Sequence, residues 1–180
     1  KSDFQKLWPH QQQAIAQALT LLETQGAAVI ADPTGSGKTR IGGWLFRLAY
    51  NRMISRGGEF SESLIPVMVA PSSVINNWYQ TLDNTGCPKE IISMGLLSNS
   101  RKPSTQRRLK LIEQTNLLGV DEIHNYYNEN SKRTKALNSN LAESRIFATA
   151  TPINRGFGDL ITLMRLLGTE DLDSETVGKM

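Results

Sequence analysis

The sequence predicts an α/β fold in which a mostly parallel β-sheet is covered by helices on both faces. Three observations lead there. Short apolar runs alternate with stretches of helical periodicity, and no repeat or low-complexity tract interrupts them. Three of the runs deliver polar residues at their C-terminal ends, which is where ligands bind in open α/β sheets. The small-residue segment Asp32-Pro33-Thr34-Gly35-Ser36-Gly37-Lys38-Thr39 follows one apolar run and precedes a helical stretch, the strand, loop, helix setting that a phosphate-binding loop requires.

Taken in order, a first helix is expected from about Pro9 to Gln25, with Pro9 at its start and Gly26 beyond its end. The first buried strand is Ala27 to Ala31, and Thr39 to about Arg52 forms the helix after the loop. Gly57-Gly58-Glu59-Phe60-Ser61 marks an exposed connection. Ile65 to Ala70 reads as a second strand, Val74 to Leu82 as helix, Glu90 to Met94 as a third strand and Gln106 to Glu113 as another helix. Leu117 to Val120 delivers Asp121 and Glu122, and Arg145 to Ala148 delivers Thr149. Leu160, Leu163, Met164 and Leu167 recur at helical spacing and read as core.

A chain of 180 residues with 39% hydrophobic content buries one good core, so length argues for a single domain. The net charge of +3 permits nucleic acid as a partner without requiring it. One cysteine, Cys87, excludes an internal disulfide framework, and no Cys/His cluster has zinc-site spacing, so a reducing, intracellular setting is expected. No apolar stretch approaches a membrane span, and Lys1-Ser2-Asp3-Phe4 has no signal-peptide pattern.

The chemistry follows from residue types. In the loop, Gly35 and Gly37 allow backbone N–H groups to close around phosphate oxygens. Lys38 reaches the β- and γ-phosphates, Thr39 offers a hydroxyl to Mg²⁺, and the helix beginning there turns its positive end to the same anion. Asp121 and Glu122 adjoin a strand end with side chains pointing in different directions, which lets Asp121 serve metal and Glu122 orient or deprotonate water. His124 reads either as a structural hydrogen-bonding residue or as part of that site.

With these residues in place the chain resembles the first, N-terminal RecA-like lobe of superfamily 2 helicases and translocases, and within them the Snf2-like ATPases. Asp32 to Thr39 resembles motif I, whose Snf2-like form also begins with Asp, and Asp121-Glu122-Ile123-His124 resembles the DExH box of motif II. Leu7-Trp8-Pro9-His10-Gln11 is similar to the segment that opens the lobe and sets a glutamine against adenine. Val69 to Trp78 resembles motif Ia, and Thr149-Ala150-Thr151-Pro152-Ile153-Asn154 resembles motif III. Pro33 to Ser36, Ile123 and Ala150 depart from the usual Snf2-like residues and match other superfamily 2 groups.

The resemblance implies a RecA-like P-loop lobe spanning residues 1–180 that binds ATP and Mg²⁺ and pairs with a second RecA-like lobe not contained in this chain. It implies nucleotide contacts at Gln11, Asp32, Gly35, Ser36, Gly37, Lys38 and Thr39, metal contacts at Thr39 and Asp121, and catalytic roles for Lys38, Asp121 and Glu122. It assigns coupling of the nucleotide to nucleic acid to His124, Thr149 and Thr151. Pro71, Ser72 and Ser73 are the nucleic-acid candidates, although Ser73 serves equally as a helix N-cap. Trp78 reads as core packing in preference to base stacking. The basic run Arg101, Lys102, Arg107, Arg108 and Lys110 reads as a solvated face in preference to a phosphate contact.

The expected function is an ATP-dependent translocase or remodeller on double-stranded DNA. Alternatives are a strand-separating DExH helicase on DNA or RNA and a nucleotide-gated or inactive scaffold. Because the arginine fingers implied by the family lie on the second lobe, and one such finger is worth on the order of a thousandfold in turnover, this lobe alone is expected to hydrolyse ATP poorly.

Overall fold

The computed structural model describes residues 6–32, 35–57, 65–98, 103–153 and 156–168. Five strands form one sheet in the order β1-β5-β4-β2-β3. They are β1 (Ala27–Ala31), β2 (Val67–Ala70), β3 (Glu90–Ser93), β4 (Leu117–Asp121) and β5 (Ser144–Thr149). Every pairing is parallel. The helices are α1 (Pro9–Gln25), α2 (Lys38–Arg56), α3 (Ile75–Thr85), α4 (Pro103–Gln114), α5 (Lys132–Asn138) and α6 (Phe157–Leu167).

Strands buried on both faces read as continuous apolar runs, and alternate residues of each strand enter two different cores. Met68, Ala70, Ile91, Ile146 and Ala148 face a core completed by Ile15 and Leu22 of α1, Ile41, Leu45 and Phe46 of α2, and Trp78 and Leu82 of α3. Val67, Val69, Ile92, Val120 and Phe147 face the other, completed by Ile112 of α4, Leu137 of α5, and Leu163 and Leu166 of α6. The sequence predicted this layering, and α1 and β1 run as expected.

Other boundaries shift by a few residues. The helix after the loop begins at Lys38 and extends to Arg56, and the second strand begins at Val67 rather than Ile65. In α6 the inward residues are Asp159, Thr162, Leu163 and Leu166, while Leu160, Met164 and Leu167 are only half-buried. The pattern of Leu and Met missed this face because two of its four residues are polar; the Thr162 hydroxyl donates to the Gly158 carbonyl (3.1 Å) and to Glu129 (3.2 Å). The short helix α5 carried too few apolar residues to be seen. Gly58 to Ser61, within the expected connection, lies outside the described residues.

Gly119, at the middle of β4, lies where α2 packs closely on the sheet. A Cβ there would stand 2.7 Å from Phe46 Cε2 and would also collide with the Met68 side chain. Gly119→Val is therefore expected to destabilise the fold by about 1–3 kcal/mol, the ordinary penalty of overpacking a core, read as a lowered urea midpoint at unchanged slope.

The parallel register aligns the strand ends. Ala31 lies opposite Thr149, Asp121 opposite Ala148, and Ala70 opposite Ser93. The residues expected to carry chemistry thus emerge along one edge of the sheet, at the carboxyl ends of β1, β5, β4 and β2.

Candidate active site

From β1 the chain passes through Asp32 to Gly35, Ser36 and Gly37, and α2 begins at Lys38. Pro33 and Thr34 lie outside the described residues. Gly35 and Gly37 have φ of 86° and 91°, values that L side chains rarely adopt. At Gly37 space is closed as well, since a Cβ would stand 2.6 Å from Gln11 Nε2. Lys38 turns back over the loop, its ammonium donating to the Asp32 carbonyl at 2.8 Å. Thr39 sits half-buried in the first turn of α2.

Gln11 is brought to the same place from α1. Its Oε1 accepts from the Trp8 backbone N–H at 3.1 Å, and its Nε2 donates across a long 3.4 Å to the Ser36 carbonyl. The glutamine expected at the adenine edge is thus 4% exposed and attached to the glycine loop after β1. Trp8, the N-cap of α1, projects into solvent with 65% exposure.

Asp121 ends β4, 7% exposed, with both oxygens engaged: Oδ2 accepts from Trp78 Nε1 at 2.8 Å and Oδ1 from the Glu122 N–H at 2.9 Å. Burial pushes its pKa above the ordinary carboxylate range and the Glu122 charge pushes the same way; the Trp78 and Glu122 N–H bonds and the Lys38 charge oppose them. Glu122 is the one described non-glycine residue with positive φ (φ 52°, ψ 53°). That left-handed conformation costs about 1 kcal/mol or more and turns the Glu122 side chain away from the direction a continuing strand would give it.

The turn at Ile123–Tyr126 then places His124 Nδ1 3.2 Å from Glu122 Oε2 and 3.0 Å from Thr149 Oγ1. The geometry favours a hydrogen bond to Thr149 over Glu122, whose Oε2 is buried without an aligned partner. Thr149 Oγ1 in turn accepts from the Thr151 N–H at 3.1 Å, and Tyr127 OH donates to the Pro152 carbonyl at 2.5 Å. His124, Thr149 and Thr151 therefore form one hydrogen-bonded set with Glu122 beside it, which joins the turn after β4 to the end of β5. Tyr127 was not foreseen.

Beyond β2, Ser72 and Ser73 are exposed in a short 3₁₀ turn, and Ser72 Oγ lies 2.7 Å from Ser93 Oγ. Ser73 does not cap α3. The N-cap position belongs to Val74, with no side-chain cap bond. Trp78 is a core residue, as expected, at 1% exposure, but its indole N–H also reaches Asp121. Asn77, which the sequence placed within the motif Ia segment but gave no role, points Nδ2 at Thr39 Oγ1 from 3.5 Å. Arg107, Arg108 and Lys110 lie exposed on α4, the solvated face expected; Arg101 and Lys102 are outside the described residues. Asn154, at the end of the motif III segment, is also outside them.

Comparison with known proteins agrees with this fold. The SNF2-related domain matches residues 91–177. The ATPase core of the Sulfolobus solfataricus SWI2/SNF2 protein, solved in complex with dsDNA, superposes with a TM-score of 0.69 at 20% identity, covering 90% of this chain and 36% of that one. The chain resembles a RecA-like lobe of the Snf2-like ATPases. A second structure of the same Sulfolobus core domain gives a TM-score of 0.66 at 22% identity over 88% of this chain and 34% of that one. The ISWI chromatin-remodeling complex ATPase ISW1 of Saccharomyces cerevisiae is 24% identical over a 190-residue alignment that covers 90% of this chain and 16% of ISW1. The lobe thus spans about a sixth of that relative. No helix among the described residues is long and apolar enough to cross a membrane.

Proposed function

We propose that this chain is the ATP-binding lobe of a Snf2-like ATPase that couples ATP hydrolysis to movement along double-stranded DNA. The observation that carries the reading is the convergence, along one sheet edge, of the glycine loop after β1, the Asp121-Glu122 pair after β4 and the Thr149-Thr151 segment after β5. The fold alone supports a nucleotide site. This constellation supports hydrolysis linked to a second event.

In this reading the loop N–H groups and the start of α2 receive the phosphates. The buried Ser36 hydroxyl, which has no hydrogen-bond partner among the described residues, suits that role. Lys38 moves from the Asp32 carbonyl to the β- and γ-phosphates, exchanging a neutral acceptor for a charged one. Mg²⁺ fits the donors: the Thr39 hydroxyl and the Asp121 carboxylate are hard oxygens, and Asp121 is a buried acid whose two hydrogen bonds leave lone pairs for a cation. When bound, the ion would neutralise charge developing on the transferring phosphoryl group.

Glu122 orients the attacking water and accepts its proton beside His124, which is hydrogen-bonded to Thr149 and through it to Thr151. Those residues make a physical route by which a change beyond β5, at a second lobe, reaches the surroundings of the base. The turn after half-buried Pro71 offers the exposed Ser72 and Ser73 hydroxyls and backbone N–H groups to a nucleic-acid backbone. Duplex DNA is favoured because the structural neighbour was solved as a complex with dsDNA. An intracellular location fits such a substrate and the single reduced, buried Cys87.

The test is steady-state ATP hydrolysis by the longest native chain containing these residues, without nucleic acid and with duplex DNA, single-stranded DNA or RNA. Stimulation chiefly by duplex is the expected result. Preference for single strands or RNA would replace the translocase reading with the strand-separating one, and absence of hydrolysis throughout would leave a binding scaffold.

A further inference from the structure

We propose that Asn77 and Trp78, consecutive residues of α3, are positioning residues for the metal-side groups of the site, Asn77 acting on Thr39 and Trp78 on Asp121. The proposal rests on the nucleotide-binding reading above and adds to it two residues that approach no phosphate themselves.

An indole N–H can only donate, and at 2.8 Å from Oδ2 it fixes one oxygen of Asp121 while the Glu122 N–H fixes the other at 2.9 Å. A carboxylate held at both oxygens keeps one orientation. The indole is itself immobile: it is 1% exposed, and a Cβ on Gly42 of α2 would stand 2.7 Å from Trp78 Cη2, so the ring fills the gap between α2 and β4. Burial alone accounts for a large aromatic residue here. It does not account for a hydrogen bond, because phenylalanine would fill the same gap.

Successive helical residues diverge by about 100°, so adjacent positions on α3 can address two different elements. Trp78 reaches the end of β4. Exposed Asn77 directs its amide to the Thr39 hydroxyl on the first turn of α2 at 3.5 Å, the limit of a hydrogen bond. The two oxygen donors that must converge on one cation thus come from separate elements, and a single helix spans them. That helix directly follows the exposed Ser72–Val74 turn, so displacement of the turn is felt at both donors.

The experiment measures equilibrium binding of a fluorescent, non-hydrolysable ATP analogue to the longest native chain containing these residues, titrated with Mg²⁺ and repeated in EDTA. Trp78→Phe keeps the ring and removes the donor. It is expected to raise the Mg²⁺ concentration for half-maximal enhancement about tenfold, the usual cost of losing an outer partner of a metal ligand, and to leave affinity in EDTA within about twofold. Asn77→Ala, at an exposed position, is expected to shift the Mg²⁺ requirement about threefold, as befits one weak neutral hydrogen bond. A Lys38→Ala control loses affinity in both media, which separates a metal-side defect from a phosphate-side one.

A Trp78→Phe protein that melts like the parent and keeps the parent's Mg²⁺ requirement overturns the proposal. If that variant does not fold, Asn77→Ala decides: a shifted Mg²⁺ requirement supports the proposal and a parental one defeats it. Absence of nucleotide binding by the parent in both media overturns the functional reading, and the proposal with it.

Discussion

Glu122→Gln is expected to lower ATP hydrolysis by about 10²–10⁴-fold, the range attributable to a positioned general base, while nucleotide affinity stays within about threefold of the parent. The amide retains the size and one acceptor oxygen of the carboxylate but cannot take a proton from water at neutral pH. Binding survives because the phosphate loop, Lys38 and Thr39 belong to β1 and α2, whereas Glu122 follows β4. Stability should hardly change. The strained backbone at φ 52° is common to both residues, and the Glu122 carboxylate approaches His124 at 3.2 Å in poor alignment, so little attraction disappears with its charge. The measurement is a pair: steady-state phosphate release, and binding of labelled ATP to the same preparation. Equal reduction of both would mean that Glu122 holds the site together and is not its base.

The site was legible in the sequence to the extent that its chemistry is local. A glycine loop between strand and helix, and two acids after an apolar run, are contiguous patterns, and Gly37 and Asp121 occupy the conformations those patterns imply. Long-range contacts left no such mark. Trp78 and Asp121 are separated by 43 positions, and nothing in either segment announces the hydrogen bond between them. Tyr127 and Pro152, or Asn77 and Thr39, are the same case. Ser73 was ambiguous for a different reason: a serine before a helix has cap chemistry, but the 3₁₀ turn advanced the helix start to Ile75 and left the hydroxyl outside the capping position. The fold was more legible than the site because strands buried on both faces appear as unbroken apolar runs, whereas α6 hides Asp159 and Thr162 on its inner face and so defeats a count of leucines.

Lys38→Ala should weaken ATP binding by about 10²–10³-fold and reduce hydrolysis at least as much, the largest single drop in affinity expected of any substitution in the lobe. An ammonium meeting two phosphates away from bulk water forms charge-assisted hydrogen bonds, and removing one member of such a pair costs about 2–5 kcal/mol, with about 1.4 kcal/mol for each tenfold in affinity. The fold itself suffers nothing comparable. Among the described residues the side chain's one hydrogen bond is to the Asp32 carbonyl at 2.8 Å, a half-buried neutral acceptor that water can replace, so the unfolding midpoint should move by no more than the fraction of a kcal/mol usual for surface substitutions, about 0.5. A second effect runs through electrostatics. The Lys38 charge is one of the influences holding down the pKa of Asp121, which burial already raises; its removal raises that pKa further and keeps the carboxyl protonated to a higher pH. Nucleotide binding in Mg²⁺ should therefore fall off on the acid side at a higher pH in Lys38→Ala than in the parent, while binding in EDTA shows no such displacement. Calorimetric titrations at several pH values in the two media separate the direct phosphate contact from this indirect one, and an affinity change smaller than about tenfold would remove Lys38 from the phosphate-binding role altogether.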